Sequence, residues 1–142
     1  MRTRAGVVAL SIVVVVAACG DSGGGARSGA DYVKEAGATC KAFTHRTETL
    51  LAGIDLFDDA KVRHVARRYA ELEHDTAREL RAIGYPKGLK PQADAFYDQL
   101  DRWGDEVARD PNLFRGRDAP AAFTQVANRA REVGLAGCGE RS

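Results

Sequence analysis

From Asp31 onward the apolar residues recur every three or four positions, the spacing of one face of a helix and not the alternation of a strand. Val33, Ala36, Cys40, Phe43, Thr47, Leu50 or Leu51 and Ile54 make a first stripe, with Asp31 placed to cap it and Gly53 to break it. Val62, Val65, Tyr69, Leu72, Thr76, Leu80 and Ile83 make a second and the clearest one, preceded by Asp58 and Asp59 and stopped by Gly84 and Pro86. A turn then leads to Pro91, suited to the start of a third helix because its missing N–H has no partner to lose there. Ala93, Phe96, Leu100, Trp103 and Val107 form the third stripe, which Asp110-Pro111-Asn112 ends. Asp118 and Pro120 open a fourth, with Ala119, Phe123, Val126, Ala130 and Val133 on one face and Gly134 after it. Four one-sided helices with short connections bury their stripes most economically as an all-α, antiparallel four-helix bundle over residues 31–142. The segment around Phe114 is the place where regularity is expected to fail, and no stretch reads as a strand.

The first eighteen residues do not fit this pattern. Arg2 and Arg4 precede an apolar run from Ala5 to Ala18, too short for the roughly 20 residues of a membrane span, and the order is that of a signal peptide. Val16-Ala17-Ala18-Cys19 resembles the lipobox of bacterial lipoproteins. The resemblance implies a diacylglyceryl group on the Cys19 thiol, cleavage just before it, and a domain held by lipid on the extracytoplasmic face of the cell membrane. Residues 19–30 carry the lipidated cysteine and a stretch of Gly and Ser with no large aliphatic side chain, which reads as a flexible tether.

Removal of residues 1–18 also changes the charge. The whole chain has 21 Lys and Arg against 20 Asp and Glu; without Arg2 and Arg4 the balance is 19 against 20. A neutral surface argues against nucleic acid as a partner. It leaves the membrane, an envelope protein or a lipid as partners, because a lipid anchor needs no basic patch.

Two cysteines remain, Cys40 and Cys138, at opposite ends of the folded part. Export puts them where disulfides form, and in an antiparallel bundle the first helix starts where the fourth ends, so a disulfide between them is expected. The tail after Gly134 has to run back beside the first helix, with Leu135 as its apolar contact. A free thiol, a metal pair and a reactive cysteine are the other readings, and the absence of C-x-x-C speaks against redox chemistry.

Taken with Gly37-Ala38-Thr39-Cys40, Ile83-Gly84-Tyr85-Pro86 and Gly134-Leu135-Ala136-Gly137-Cys138-Gly139, the chain resembles a broad group of small actinobacterial lipoproteins with a lipobox, a Gly/Ser tether and two cysteines in an amphipathic helical domain. The resemblance implies a fold and a location and carries no activity.

Candidate chemistry is sparse. Glu71-Leu72-Glu73-His74 contains a Glu-x-x-His spacing used by di-iron bundles, yet it occurs once, and at about 100° per residue Glu71 and His74 fall away from the Tyr69 stripe, toward water. His45 and His64 also fall outside the stripes. Serine occurs at positions 11, 22, 28 and 142, outside the predicted helices, which removes a Ser-His-Asp hydrolase, and no phosphate loop, H-E-x-x-H or calcium loop is present. No metal, cofactor or catalytic residue is assigned, and the protein reads as no enzyme. The arginines of the second helix alternate with Glu71, Asp75 and Glu79 as a mixed, solvated face. Two readings remain: an interaction or envelope-associated module, or a small-ligand or lipid-binding bundle in which Phe43, Tyr69, Phe96, Trp103 and Phe123 line an internal apolar cavity.

Overall fold

The computed structural model of the chain describes residues 24–115 and 119–138. The signal peptide, Cys19 and the Asp118 cap lie outside the described residues. The described residues form four helices, α1 (Gly29–Leu51), α2 (Asp59–Ile83), α3 (Lys90–Arg109) and α4 (Ala119–Glu132), with a 3-10 turn, Pro111–Phe114, between the last two. They pack as a helical bundle in which α2 against α3 is the most extensive contact, followed by α1 against α2 and α3 against α4. No described helix is long and apolar enough to cross a membrane.

The second and third stripes, and Val126, Ala130 and Val133 of the fourth, are buried as the spacing predicts, with Leu72, Ile83 and Phe123 only partly covered; the Ala119 side chain lies outside what is described. The burial on α2 is wider than its stripe and takes in Ala66, Ala70, Ala77 and Glu73, because two neighbours rather than one cover that helix. Asp58 caps α2 by accepting from the backbone N–H groups of Ala60 and Lys61. The start of the fold differs from expectation. Ser28, not Asp31, caps α1, accepting from the Asp31 N–H at 3.1 Å, and Tyr32 is fully buried while Val33 is 43% exposed. Tyr32 takes the inward position because its hydroxyl has a partner there: it donates to the Tyr97 hydroxyl at 2.9 Å, which in turn donates to the Gly84 carbonyl.

The expected tether up to Ala30 is corrected as well. Ala26–Arg27 (β1) pairs in parallel with Tyr85–Pro86 (β2), a short strand pair where none was expected. The Gly24 N–H donates to the Arg81 carbonyl at 3.0 Å, Lys87 N–H to Arg27 carbonyl at 2.8 Å, and the Arg27 Nε to Ile83 carbonyl at 2.6 Å. Gly24 and Gly84 make this possible, since a Cβ on either would run into the backbone of the other segment. The first and last of these bonds occupy carbonyls at the end of α2 that have no partner within the helix.

Helix α4 ends at a glycine in the left-handed region, Gly134 at φ 83°. Leu135 N–H reaches back to the Ala130 carbonyl at 2.8 Å and Gly134 N–H to Arg131 at 3.0 Å, the hydrogen-bond pattern of a Schellman stop. The reversal buries Leu135 as expected and brings Cys138 to disulfide distance from Cys40, with 4.9 Å between Cα atoms.

Candidate functional site

The buried side chains fall into two groups. One surrounds the cysteine pair and joins Tyr32, Ala36 and Cys40 to Leu80, Phe96, Tyr97, Leu100, Val133 and Leu135. The other holds Phe43, Ala66, Tyr69, Trp103 and Val107, with Leu50, Leu113, Phe114 and Phe123 only partly covered around it. The second group borders a cleft of about 470 Å³ between α1, α2 and α4.

The helices produce the cleft by unequal length. Helix α1 has 23 residues and α4 has 14, so α4 leaves part of the α1 surface without a facing helix. The α1–α2 connection and the 3-10 turn border the gap instead, contributing Ile54 and Leu56 from one and Phe114 from the other. Phe43 and Leu51 of α1 and Phe123 and Val126 of α4 complete an apolar wall. Its rings are packed edge to face: Tyr69 against Phe114 at 5.2 Å between centroids and against Phe123 at 6.2 Å, and Phe123 against Trp103 at 5.6 Å. Next to the mouth stands Phe57, 97% exposed.

At the floor of this apolar wall lies a carboxyl group. Glu73 is 1% exposed, and the Tyr69 hydroxyl donates to its Oε1, while Oε2 has no hydrogen-bond partner. Burial pushes the carboxyl up to about 8, against a smaller opposing effect of the Tyr69 bond and with Asp101 adding repulsion. Glu73 is therefore mainly neutral at pH 7, with Oε2 carrying the proton. Thr47 Oγ1, also buried, has no hydrogen-bond partner, and Thr44 and Glu48 complete the polar part of the lining. A buried polar atom left without a partner costs about 1–3 kcal/mol, so these groups weaken the fold where they stand.

Of the five aromatic residues expected around a cavity, Phe43, Tyr69 and Phe123 line the cleft. Trp103 is one layer behind, touching Phe123, and Phe96 belongs to the core around the cysteines, fully buried beside Tyr97. Glu73 was missed as an inward group, although it stands four residues after Tyr69, three before Thr76 and seven before Leu80, which is inside the stripe.

His74 is not turned to water as expected. It is half-buried against α3, with Nδ1 2.9 Å from Asp101 and Nε2 3.2 Å from Asp105. Gly104 allows that approach, since a Cβ there would lie 3.2 Å from the Glu73 Cβ and 3.3 Å from His74 Nε2. Asp101 also pairs with Arg81 at 2.6 Å, and Arg81 reaches Asp98 at 2.9 Å. Glu71 faces solvent and pairs with Arg68 at 2.6 Å, and His45 and His64 are exposed. No group of three His, Cys, Asp or Glu among the described residues is arranged to hold a metal ion.

No family model, curated protein or solved structure matches the chain.

Proposed function

We propose that the protein is an exported lipoprotein, anchored through Cys19, whose antiparallel bundle binds an apolar small molecule or lipid in the cleft between α1 and α4. The observation that carries this reading is the cleft itself: a volume within the roughly 300–1,000 Å³ of small-molecule sites, an aromatic and aliphatic wall, and one buried polar pair, Tyr69 and Glu73, at its floor. Val33 against Gly134 at one end, and Phe43 opposite Phe123 farther along, support α1 and α4 running in opposite directions. The cysteine distance supports a disulfide between Cys40 and Cys138, in keeping with export. Cys19 is five residues from Gly24, so the chain allows at most about 17 Å between the anchor and the β1 end of the fold.

The function is binding and not catalysis. A second reading, docking of an envelope protein, is favoured by Phe57 and by Leu56, 40% exposed, at the cleft mouth. Crosslinking from position 57 in intact cells tests it.

Trp103 gives a direct test of ligand binding, because it is the one tryptophan of the chain and packs on Phe123 of the cleft wall. Decan-1-ol added to the full chain in phosphatidylcholine vesicles is expected to shift its emission saturably. An unchanged spectrum, with the alcohol shown to be present by its partition into vesicles alone, would remove the ligand-binding reading.

A further inference from the structure

We infer that the cleft selects apolar molecules carrying a single amine, which Glu73 receives as an ammonium ion. The inference rests on the ligand-binding reading and narrows it to a chemical class. Among the described lining residues the titratable side chains are acidic or phenolic: Glu48, Glu73 and Tyr69. An anionic head such as a fatty-acid carboxylate can accept from the neutral acid but forgoes charge pairing, since each described group that can ionise in the lining does so to a negative charge. A neutral alcohol would gain one hydrogen bond at Oε2. An ammonium group gains charge pairing in a desolvated place once the Oε2 proton has left, and then donates to Oε2, with the Tyr69 hydroxyl holding Oε1 in position.

The surroundings of Glu73 keep that preference. From α1, Thr44, Thr47 and Glu48 face the cleft; from α2 come Tyr69 and His74; from α3 comes Asp101, which repels a charged Glu73 while it is itself engaged by Arg81 and His74. The contributions of the 3-10 turn and α4 are apolar, Phe114 with Phe123 and Val126.

Binding then has a proton balance. In the empty cleft Glu73 is a neutral acid; when an alkylammonium ion enters, the Oε2–H bond breaks, the carboxylate pairs with the ammonium group, and one proton leaves to solvent. With the carboxyl at about 8, affinity should rise close to tenfold per unit between pH 6 and 7, by about fifty-fold from pH 6 to 8, and level off before the amine itself loses its charge near pH 10.

The experiment compares n-decylamine, decan-1-ol and decanoate on the full chain in phosphatidylcholine vesicles, by Trp103 emission and by titration calorimetry in two buffers of different ionisation enthalpy. The expected order at pH 7.5 is amine, then alcohol, then decanoate, with tenfold or more between the first two, and release of most of one proton on amine binding at pH 7. Glu73→Gln should bring the amine down to the alcohol and remove the pH dependence. Alcohol binding equal to amine binding, or amine binding without proton release, overturns the amine inference and leaves the cleft as a ligand site; failure of alcohol and amine alike overturns the ligand-binding reading. The proton count on the unaltered chain decides the matter even if the Gln variant does not fold.

Discussion

The two ends of the bundle are built from the same helices and satisfy their polar groups differently. Around Cys40 and Cys138 the side chains are almost wholly enclosed, and the two buried hydroxyls form a chain from Tyr32 through Tyr97 to the Gly84 carbonyl, which also needed a partner. Gln92 Oε1, in the first turn of α3, is the one buried polar side-chain atom near this end without a partner among the described residues. Around Tyr69 the aromatic rings are only partly covered, and Glu73 Oε2, Thr47 Oγ1 and Trp103 Nε1 are buried without hydrogen bonds. Where hydrogen bonding closes, the region is there to hold the fold. Where it does not, stability is lower than the same helices could provide, and the proposed ligand would have polar groups to satisfy.

The largest expected effect lies at the closed end. Cys40 and Cys138 are separated by 98 residues, and linking them restricts the unfolded chain by about 4–5 kcal/mol at most in the loop-entropy description. Thermal melts with and without reductant should differ by well over ten degrees. Equal melts would mean that the sulfurs are not bonded and that packing alone closes this end.

Leu100→Ala comes next. Leu100 is 1% exposed in the closed core, and removing a side chain so enclosed costs about 2–5 kcal/mol, because little can move to fill the space. Leu51→Ala, on the cleft wall, should cost about 1 kcal/mol or less, as Leu51 is half-buried and already borders open volume. Urea unfolding of both variants checks the pair; similar losses would erase the distinction between the ends.

How much of this was legible in the sequence differs between the same two ends. The stripes of α2, α3 and α4 and the return of Leu135 and Cys138 follow from spacing and from Gly134, because those are local rules. Tyr32 was not found. Val33 is the more apolar residue and lies about as far from the middle of the stripe on its other side, and the partner that draws Tyr32 inward is 65 residues away. The docking of Gly24 to Arg27 on the end of α2 was missed for a similar reason: glycines that allow two backbones to touch look, in sequence alone, like glycines of a loose tether. At the cleft, Phe43, Tyr69 and Phe123 could be read from periodicity. The opening between them could not, since it depends on α4 being shorter than α1 and on how the 3-10 turn sits. Glu73 was legible by position and overlooked by residue type, because a carboxylate is ordinarily sent to water.

The third effect belongs to that residue and depends on pH. The folded Glu73 carboxyl is raised to about 8, against an ordinary value of 4.5. Between those values the folded chain holds a proton that the unfolded chain has released, so the stability this group confers is complete below about pH 4.5 and lost as pH rises through 8. The part of it lost between pH 5 and 8 is on the order of 3.5 kcal/mol. Urea unfolding at pH 5, 6.5 and 8 should show stability falling over that range, and Glu73→Gln should flatten the profile and exceed the unaltered chain at pH 8. A stability that rises from pH 5 to 8 through this residue would mean that Glu73 is ionised in the fold.

The smallest effect is the hydroxyl chain at the closed end. Tyr32→Phe removes one donor and leaves the ring in its packing, so the expected loss is that of one buried hydrogen bond, about 1 kcal/mol. Tyr97 keeps its own bond to the Gly84 carbonyl and loses only what it accepted, which limits the damage. The loss should also be the same at pH 5 and at pH 8, because burial holds both phenols above the ordinary range and neither ionises in that interval. Tyr69→Phe provides the contrast. It withdraws the one donor to Glu73, so its cost should be small at pH 5, where the carboxyl is neutral, and larger at pH 8, where the charge has begun to form. Unfolding curves of the two Phe variants at both pH values therefore separate a hydroxyl that completes a closed network from one that supports an acid in a cleft, and a Tyr69 variant as indifferent to pH as the Tyr32 variant would leave Glu73 without its assigned partner.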